Sequence, residues 1–146
     1  MIRNLASALF VTGLMATVPC AYAHHAFSAE FDANLPIRVS GTVVKVEWIN
    51  PHAWVHVESE DAEKVVWELE AGTPNTLLRR GLTRTLLVPG TAVIVRGYQS
   101  KDQICDPNCK GSGRDITLPD GRKLFMGSSG TGAPRDGADP TEPEIP

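Results

Sequence analysis

The stretch PIRVSGTVVKVEWINPHAWVHVES, residues 36–59, sets the fold class of this chain. Its richness in Val and Thr predicts one long β-strand over 36–49, and the alternation over 52–59 predicts a second. Asn50–Pro51 is a turn signal, so the two strands are expected to form a hairpin with a two-residue turn. Side chains alternate between the faces of such a hairpin. One face is predicted to be core: Val44, Val46, Trp48, Ala53, Val55 and Val57.

The segments after residue 59 add further strands and one helix. Thr73 as N-cap, Pro74 at the first helical position and Gly81 as the stop predict a helix over 75–80. The other predicted strands are 64–70, 92–98, 114–118 and 122–126, with a polar loop over 100–113. This order predicts a mainly β chain, a small OB-like Greek-key β-barrel of about five to six strands with one short helix after the third strand. A six-stranded sandwich is the alternative that the sequence leaves open.

The N-terminus has the features of a secretion signal. A start with one positive charge precedes an apolar run from Leu5 to Val18, and small residues stand at Ala21 and Ala23. This predicts a signal peptide over 1–23 that is cleaved after Ala23. The run is shorter than the roughly 20 apolar residues of a spanning helix. Lipoprotein processing at Cys20 is the less favoured alternative, because a proline precedes it. The chain is therefore predicted to be periplasmic or secreted, with no membrane span after cleavage.

Length and charge limit the function classes. Cleavage leaves 123 of the 146 residues, enough for a single β-barrel domain over 24–126. The stretch 127–146 is Gly, Pro, Ser, Thr and acid, which predicts a disordered C-terminal tail. The mature chain has 13 Lys and Arg against 17 Asp and Glu, or −4 with neutral histidines. Such an acidic protein is not expected to bind nucleic acid, which needs a positive surface.

The second face of the hairpin is the candidate binding surface. It is predicted to present Lys45, Glu47, Ile49, His52, Trp54, His56 and Glu58. A plainly solvated face has no need of an indole and an isoleucine among charges, so we assign Glu47, Ile49, Trp54 and Glu58 to a ligand surface. The alternative is that the N-terminal arm, residues 24–34, or the C-terminal segments cover Trp54.

The histidines suggest a metal site. Cleavage after Ala23 would free the α-amine of His24, and this amine and the His24 imidazole can chelate one ion together. With a further imidazole the set resembles, in these local features, the histidine brace of exported copper proteins. The candidate ligands are His24, His25, His52 and His56, and copper or zinc is the candidate ion.

Strand geometry restricts the third ligand. His52 and His56 lie roughly 13 Å apart along one strand, so only one of them can join the chain end, and His52 is preferred because it adjoins the turn. The alternative is a solvated terminus, a turn-capping His52 and a half-exposed His56.

The cysteines and hydroxyl groups point to structure rather than catalysis. Cys105 and Cys109 enclose three residues and predict a local disulfide in an oxidising compartment, with a thiolate metal pair as the alternative. The serines at 28, 40, 59 and 100 stand in no nucleophile-elbow context. No catalytic residues are assigned, and an enzyme is the least favoured class.

Several motifs occur in order along the chain. They are His24-His25-Ala26-Phe27, the GTVxKVEWxNPHAW pattern of 41–54, Pro74-Asn75, Arg79-Arg80-Gly81 and the LPDGRKL of 118–124. With them the chain resembles a bacterial family of small exported proteins that carries a domain of unknown function. The resemblance implies periplasmic residence and a small β-barrel, but no activity. The Cys105–Cys109 loop and the tail depart from the pattern.

Two functions of different classes follow. The first is a periplasmic binding module that holds a metal ion, copper favoured, or a small ligand near its N-terminal histidine and the NPHAW hairpin. The alternative is a structural or accessory protein that docks a periplasmic partner through Trp54 and Ile49 without metal.

Overall fold

A computed structural model describes residues 27–128. Its elements are α1 (Phe27–Glu30), β1 (Phe31–Glu47), β2 (Trp54–Ser59), β3 (Val66–Glu70), α2 (Pro74–Arg79), β4 (Ala92–Ser100), β5 (Cys109–Thr117) and β6 (Lys123–Phe125). The mainly β composition and the short helix after the third strand are confirmed. The predicted signal peptide, His24, His25 and all but the first two residues of the predicted tail lie outside the described residues. Between residues 27 and 128, no helix has the length and apolarity needed to cross a membrane.

The strands are joined into a closed ring. The sheet order is β3-β2-β1-β4-β5-β6, and β3 also pairs with β5. Hydrogen bonding therefore runs from β1 through β2, β3, β5 and β4 back to β1. The β3–β5 pairing is parallel, from Trp67 opposite Cys109 to Glu70 opposite Ser112. The other pairings are antiparallel, and β6 adds to the ring by pairing with β5.

The core fills the interior of this ring with aliphatic side chains. The largest side chains with almost no exposure are Leu69, Leu77, Leu82, Ile116, Met126, Val43, Val55, Val57 and Val95. They come from all five strands of the ring, from α2 and the connection after it, and from the segment after β6. Burial of apolar surface on this scale is the main term that favours folding.

The helix α2 starts as the sequence predicts. The Thr73 side chain accepts a hydrogen bond from the Thr76 backbone N–H at 3.2 Å, and Pro74 is the first helical residue. The helix ends at Arg79, and Gly81 follows with a φ of 87°, a conformation that glycine adopts without strain.

The predicted hairpin register is correct at one end and wrong at the other. Glu47 pairs with Trp54 and Lys45 with His56, as expected for strands that meet at Asn50–Pro51. A bulge between Val43 and Lys45 then shifts the register. As a result Val43 lies in the core with no exposure, whereas Val44 is 41% exposed. The assignment of Val44 to the core is wrong, because one extra residue reverses the facing of everything before it.

Three predicted boundaries also need correction. The last paired residues of the hairpin are Glu47 on β1 and Trp54 on β2. Residues 48–53 therefore form a longer connection than the predicted two-residue turn. The expected arm over 24–34 contains α1, and β1 already begins at Phe31. The polar loop ends earlier than predicted, since β5 begins at Cys109. β1 and β5 are longer than predicted because their added residues pair with strands that are distant in the sequence. Such pairing produces no local sequence pattern.

Candidate functional site

The outer face of β2 carries the candidate residues. Val55 and Val57 point into the ring and are fully buried, so the alternate residues Trp54, His56 and Glu58 lie on the outer face. The neighbouring strands place Glu47 and Glu70 on either side of Trp54. Ile49 is separate from this face: it lies in the connecting loop and is 50% exposed.

His56 is the centre of a hydrogen-bonded row that crosses the sheet. Its Nε2 lies 2.9 Å from Glu47 Oε1, and its Nδ1 lies 4.0 Å from Glu68 Oε1. Glu47 also accepts a hydrogen bond from Lys45 Nζ at 2.7 Å, and Glu68 accepts one from Asn108 Nδ2 at 2.8 Å. The two ring nitrogens thus face carboxylates from opposite sides, and the ring is only 8% exposed.

This row has an electrostatic and a chemical consequence. The hydrogen bond from Lys45, and after it the one from His56, holds the pKa of Glu47 below its ordinary value. Nε2 of His56 is hydrogen-bonded to Glu47, Nδ1 lies on the side of Glu68, and the residue is only 8% exposed, so the ring offers little access to a metal ion. The geometry makes His56 a group that connects β1, β2 and β3.

His52 has a different environment. Its Nδ1 lies 3.2 Å from the Ala71 carbonyl oxygen and 3.1 Å from Glu70 Oε1. A carbonyl oxygen can only accept, so Nδ1 must carry a proton and donate it. In the neutral ring the lone pair is then on Nε2, and the side chain keeps 23% of its surface exposed. Metal-binding histidines typically have this arrangement, with one nitrogen donating to a carboxylate or carbonyl and the other free to coordinate.

The part of the chain that the structure describes does not complete a metal site. Among residues 27–128, no group of three or more His, Cys, Asp or Glu side chains is placed to hold an ion. His52 and His56 are not brought together, in agreement with the strand geometry. His24 and His25, the other two candidate ligands, lie outside the described residues.

Trp54 lines a cleft of about 430 Å³ on the same outer face. Ala29, Glu30 and Phe31 form one wall, and Ser100, Lys101, Asp102 and Lys110 contribute the rest. The indole is half-buried, and residues 29–31 border it. A second cleft of about 300 Å³ shares Asp102 and Lys110 with the first. Sequence reasoning missed both residues, since the register that opposes Lys110 to Glu68 is set only by the parallel β3–β5 pairing.

The helix α1 is fixed over this face by a small aromatic cluster. The Phe27 ring lies 5.7 Å from the Phe31 ring and 5.4 Å from the Tyr98 ring, the latter in an edge-to-face arrangement. All three residues are buried and form a cluster separate from the main core. The cluster therefore fixes α1 against β1 and β4.

The predicted disulfide is confirmed. Cys105 and Cys109 are joined by an S–S bond, so they offer no thiolate pair to a metal. Cys109 is buried at the first position of β5, and Asp102 and Ile104, in the loop that leads to the disulfide, line the second cleft. The bridge thus fixes a loop that borders the candidate site.

The comparison with protein families places the chain in one of them. The model of a family of unknown function (DUF6152) matches residues 13–106, and the chain belongs to that family. This agrees with the domain-of-unknown-function resemblance drawn from the motifs. No curated protein matches the chain, and no solved structure matches it.

Proposed function

We propose that this chain is an exported binding module that holds one metal ion, copper in preference to zinc, between His52 and the new N-terminal residue His24. The observation that carries the proposal is the environment of His52. The Ala71 carbonyl and Glu70 fix the proton on Nδ1, which leaves Nε2 as the coordinating atom. His24 would add its α-amine and its imidazole, which together with Nε2 make three nitrogen donors.

The position of α1 supports this pairing. Tyr98, Ser112 and Glu70 are successive partners across β4, β5 and β3, so Glu70 lies two strands from Tyr98, or roughly 10 Å at the usual spacing. Phe27 packs on Tyr98. His24 is three positions before Phe27, and an extended chain spans about 10 Å over three positions. The new chain end is therefore within reach of the Glu70–His52 pair.

The donor chemistry favours copper. Divalent copper binds nitrogen ligands more tightly than zinc does in the Irving–Williams order, and imidazole suits it. Glu70 would act as the group that orients His52 and would not itself be a ligand. His25 is an alternative donor from the chain end, whereas His56 is left out because both of its nitrogens face carboxylates.

The finer fold and the location belong to the same proposal. We take the ring to be an OB-like barrel of the Greek-key type. Its cyclic order β1-β2-β3-β5-β4 and the position of α2 between β3 and β4 support this. Proteins of that type bind ligands at the face of strands 2 and 3, where the candidate residues lie here. The signal-like N-terminus supports residence in the periplasm or outside the cell.

Calorimetric titration of the processed protein with copper tests the proposal. We expect one ion per chain at micromolar or lower Kd. His52→Ala should weaken binding by more than about tenfold, since loss of even an orienting partner typically costs 10–100-fold. An extra alanine before His24 should have a similar effect. His56→Gln is the matched control and should leave the affinity within about twofold. Absence of copper binding, or equal loss in both histidine variants, would overturn the proposal.

A second candidate function rests on exposed apolar side chains at one end of the ring. Ile49, Val44 and Val88 are 41–50% exposed. The Val43 N–H donates to the Thr91 carbonyl and the Val43 carbonyl accepts from the Gly90 N–H, which brings the Val88 loop beside the bulge. This patch is the part of the surface that fits docking of a periplasmic protein. Ile49→Asp should then remove a stoichiometric partner that co-purifies from the periplasm, without changing copper affinity.

A further inference from the structure

The Trp54 cleft has the size and the walls of a small-molecule site. Its volume of about 430 Å³ lies in the range of known ligand pockets, which is roughly 300–1,000 Å³. Trp54 supplies the aromatic surface, since Phe31, which also lines the cleft, is only 5% exposed, and Ala29 adds an aliphatic wall. A ligand with a flat apolar body would fit against such surfaces, because aromatic groups gain from burial and from edge or offset ring contacts.

Most of the charged groups around this cleft already serve the protein itself. Lys101 Nζ donates a hydrogen bond to the Ser28 carbonyl and so ties the loop to α1. Asp102 Oδ1 accepts hydrogen bonds from Ser100 Oγ at 2.7 Å and from the Ile104 N–H at 3.2 Å. These two bonds, led by that from Ser100, lower the pKa of Asp102, and the charge of Lys110 acts in the same direction. Glu30 also has an interaction of its own and is not free for a ligand.

Two hydrogen-bond donors remain for a ligand. The Lys110 side chain is exposed at the junction of the two clefts, and the Trp54 indole N–H belongs to a half-buried ring. Within the described range 27–128, neither group makes a hydrogen bond or a salt bridge, although the charge of Lys110 is close enough to Asp102 to help lower the pKa of that carboxyl. An ammonium and an indole N–H can only donate hydrogen bonds. These two groups therefore favour a ligand that accepts hydrogen bonds, most favourably an anion.

We infer that this cleft binds a small aromatic carboxylate. The ring of the ligand lies against Trp54, and its carboxylate accepts hydrogen bonds from Lys110 Nζ and the Trp54 indole N–H. The site is distinct from the proposed copper site, since neither His52 nor Glu70 lines the cleft. Binding should therefore persist in the presence of a metal chelator.

Three probes that differ only in charge test this inference. Phenylacetate, the neutral phenylacetamide and the cationic phenethylamine are titrated into ¹⁵N-labelled protein with EDTA, and the indole N–H resonance of Trp54 is followed by NMR. Trp54→Phe assigns that resonance among the three tryptophans. We expect phenylacetate to shift it and to bind about fivefold more tightly than the amide, as one partly exposed ion pair provides. Phenethylamine should bind least.

Two lysine variants complete the test. Lys110→Gln should lower phenylacetate affinity to that of phenylacetamide, and it should not disturb folding because the side chain is exposed. Lys64→Gln, at the exposed β2–β3 connection, is the matched control and should leave the affinity unchanged. Equal binding of the three probes, or no effect of Lys110→Gln, would overturn the inference. So would chemical shifts that map away from Trp54. The copper titration is independent, so failure of one proposal does not imply failure of the other.

Discussion

The bulge in β1 buries one of two adjacent valines and exposes the other. Substitution of each by alanine, with measurement of the free energy of unfolding, tests this difference. Val43 is fully buried inside the ring, whereas Val44 is 41% exposed. Val43→Ala removes two buried methyl groups, which costs roughly 0.8 kcal/mol each in transfer free energy plus a cavity contribution. We expect the free energy of unfolding to fall by about 2–3 kcal/mol. Val44→Ala should change it by less than about 0.5 kcal/mol.

Urea denaturation followed by circular dichroism is the assay. With an m-value of about 1–2 kcal/mol/M for a domain of this size, the Val43→Ala midpoint should fall by about one to three molar units. Val44→Ala serves as the control, since it makes the same chemical change one residue away. Equal midpoints for the two variants would refute the bulge. A larger loss of stability in Val44→Ala would instead support a β1 strand without a bulge, in which Val44 is a core residue.

Three further predictions concern backbone packing, pH and the disulfide. Gly97→Ala should prevent stable folding, because its Cβ would lie 1.9 Å from a carbonyl oxygen of β5; the loss of dispersed NMR resonances is the readout. The pKa of Glu47 is lowered in the folded state, chiefly by Lys45, so its contribution to stability is present at neutral pH and disappears as the pH falls through that lowered pKa. The difference in Tm between the protein and Glu47→Gln should therefore shrink between pH 6 and pH 3, and a constant difference would contradict it. Reduction of Cys105–Cys109 should lower the unfolding free energy by about 2 kcal/mol or less, since the ring is small, and cooperative melting should survive.

Local signals allowed part of the fold to be predicted. Thr73 and Pro74 specify where α2 begins through a cap and a fixed φ, and both act within one helical turn. The alternation in β2 likewise distinguishes the buried Val55 and Val57 from the outer residues. In each case the determining interaction lies within a few residues of its own signal.

Long-range pairing accounts for what the sequence did not predict. The bulge before Lys45 and the early start of β5 at Cys109 depend on partners far along the chain. The tautomer of His52 is set by the carbonyl of Ala71, nineteen residues away. Lys110 joins the Trp54 cleft only because β5 pairs in parallel with β3. No spacing in the sequence encodes these contacts.

The structure gives His52 and His56 different hydrogen-bonding environments. Sequence alone made His52 and His56 equivalent members of one outer face, separated only by closeness to the turn. In the structure, Glu47 and the more distant Glu68 face the two nitrogens of His56, whereas His52 keeps Nε2 for a ligand. The same face therefore combines a row that stabilises the sheet with one imidazole suited to coordination.

The most direct test is the electron paramagnetic resonance spectrum of the processed protein with one equivalent of Cu²⁺. We predict a single tetragonal species with superhyperfine splitting from three nitrogens, and loss of one nitrogen coupling in His52→Gln. A spectrum of solvated copper, or one that is unchanged in His52→Gln, would contradict coordination by His52.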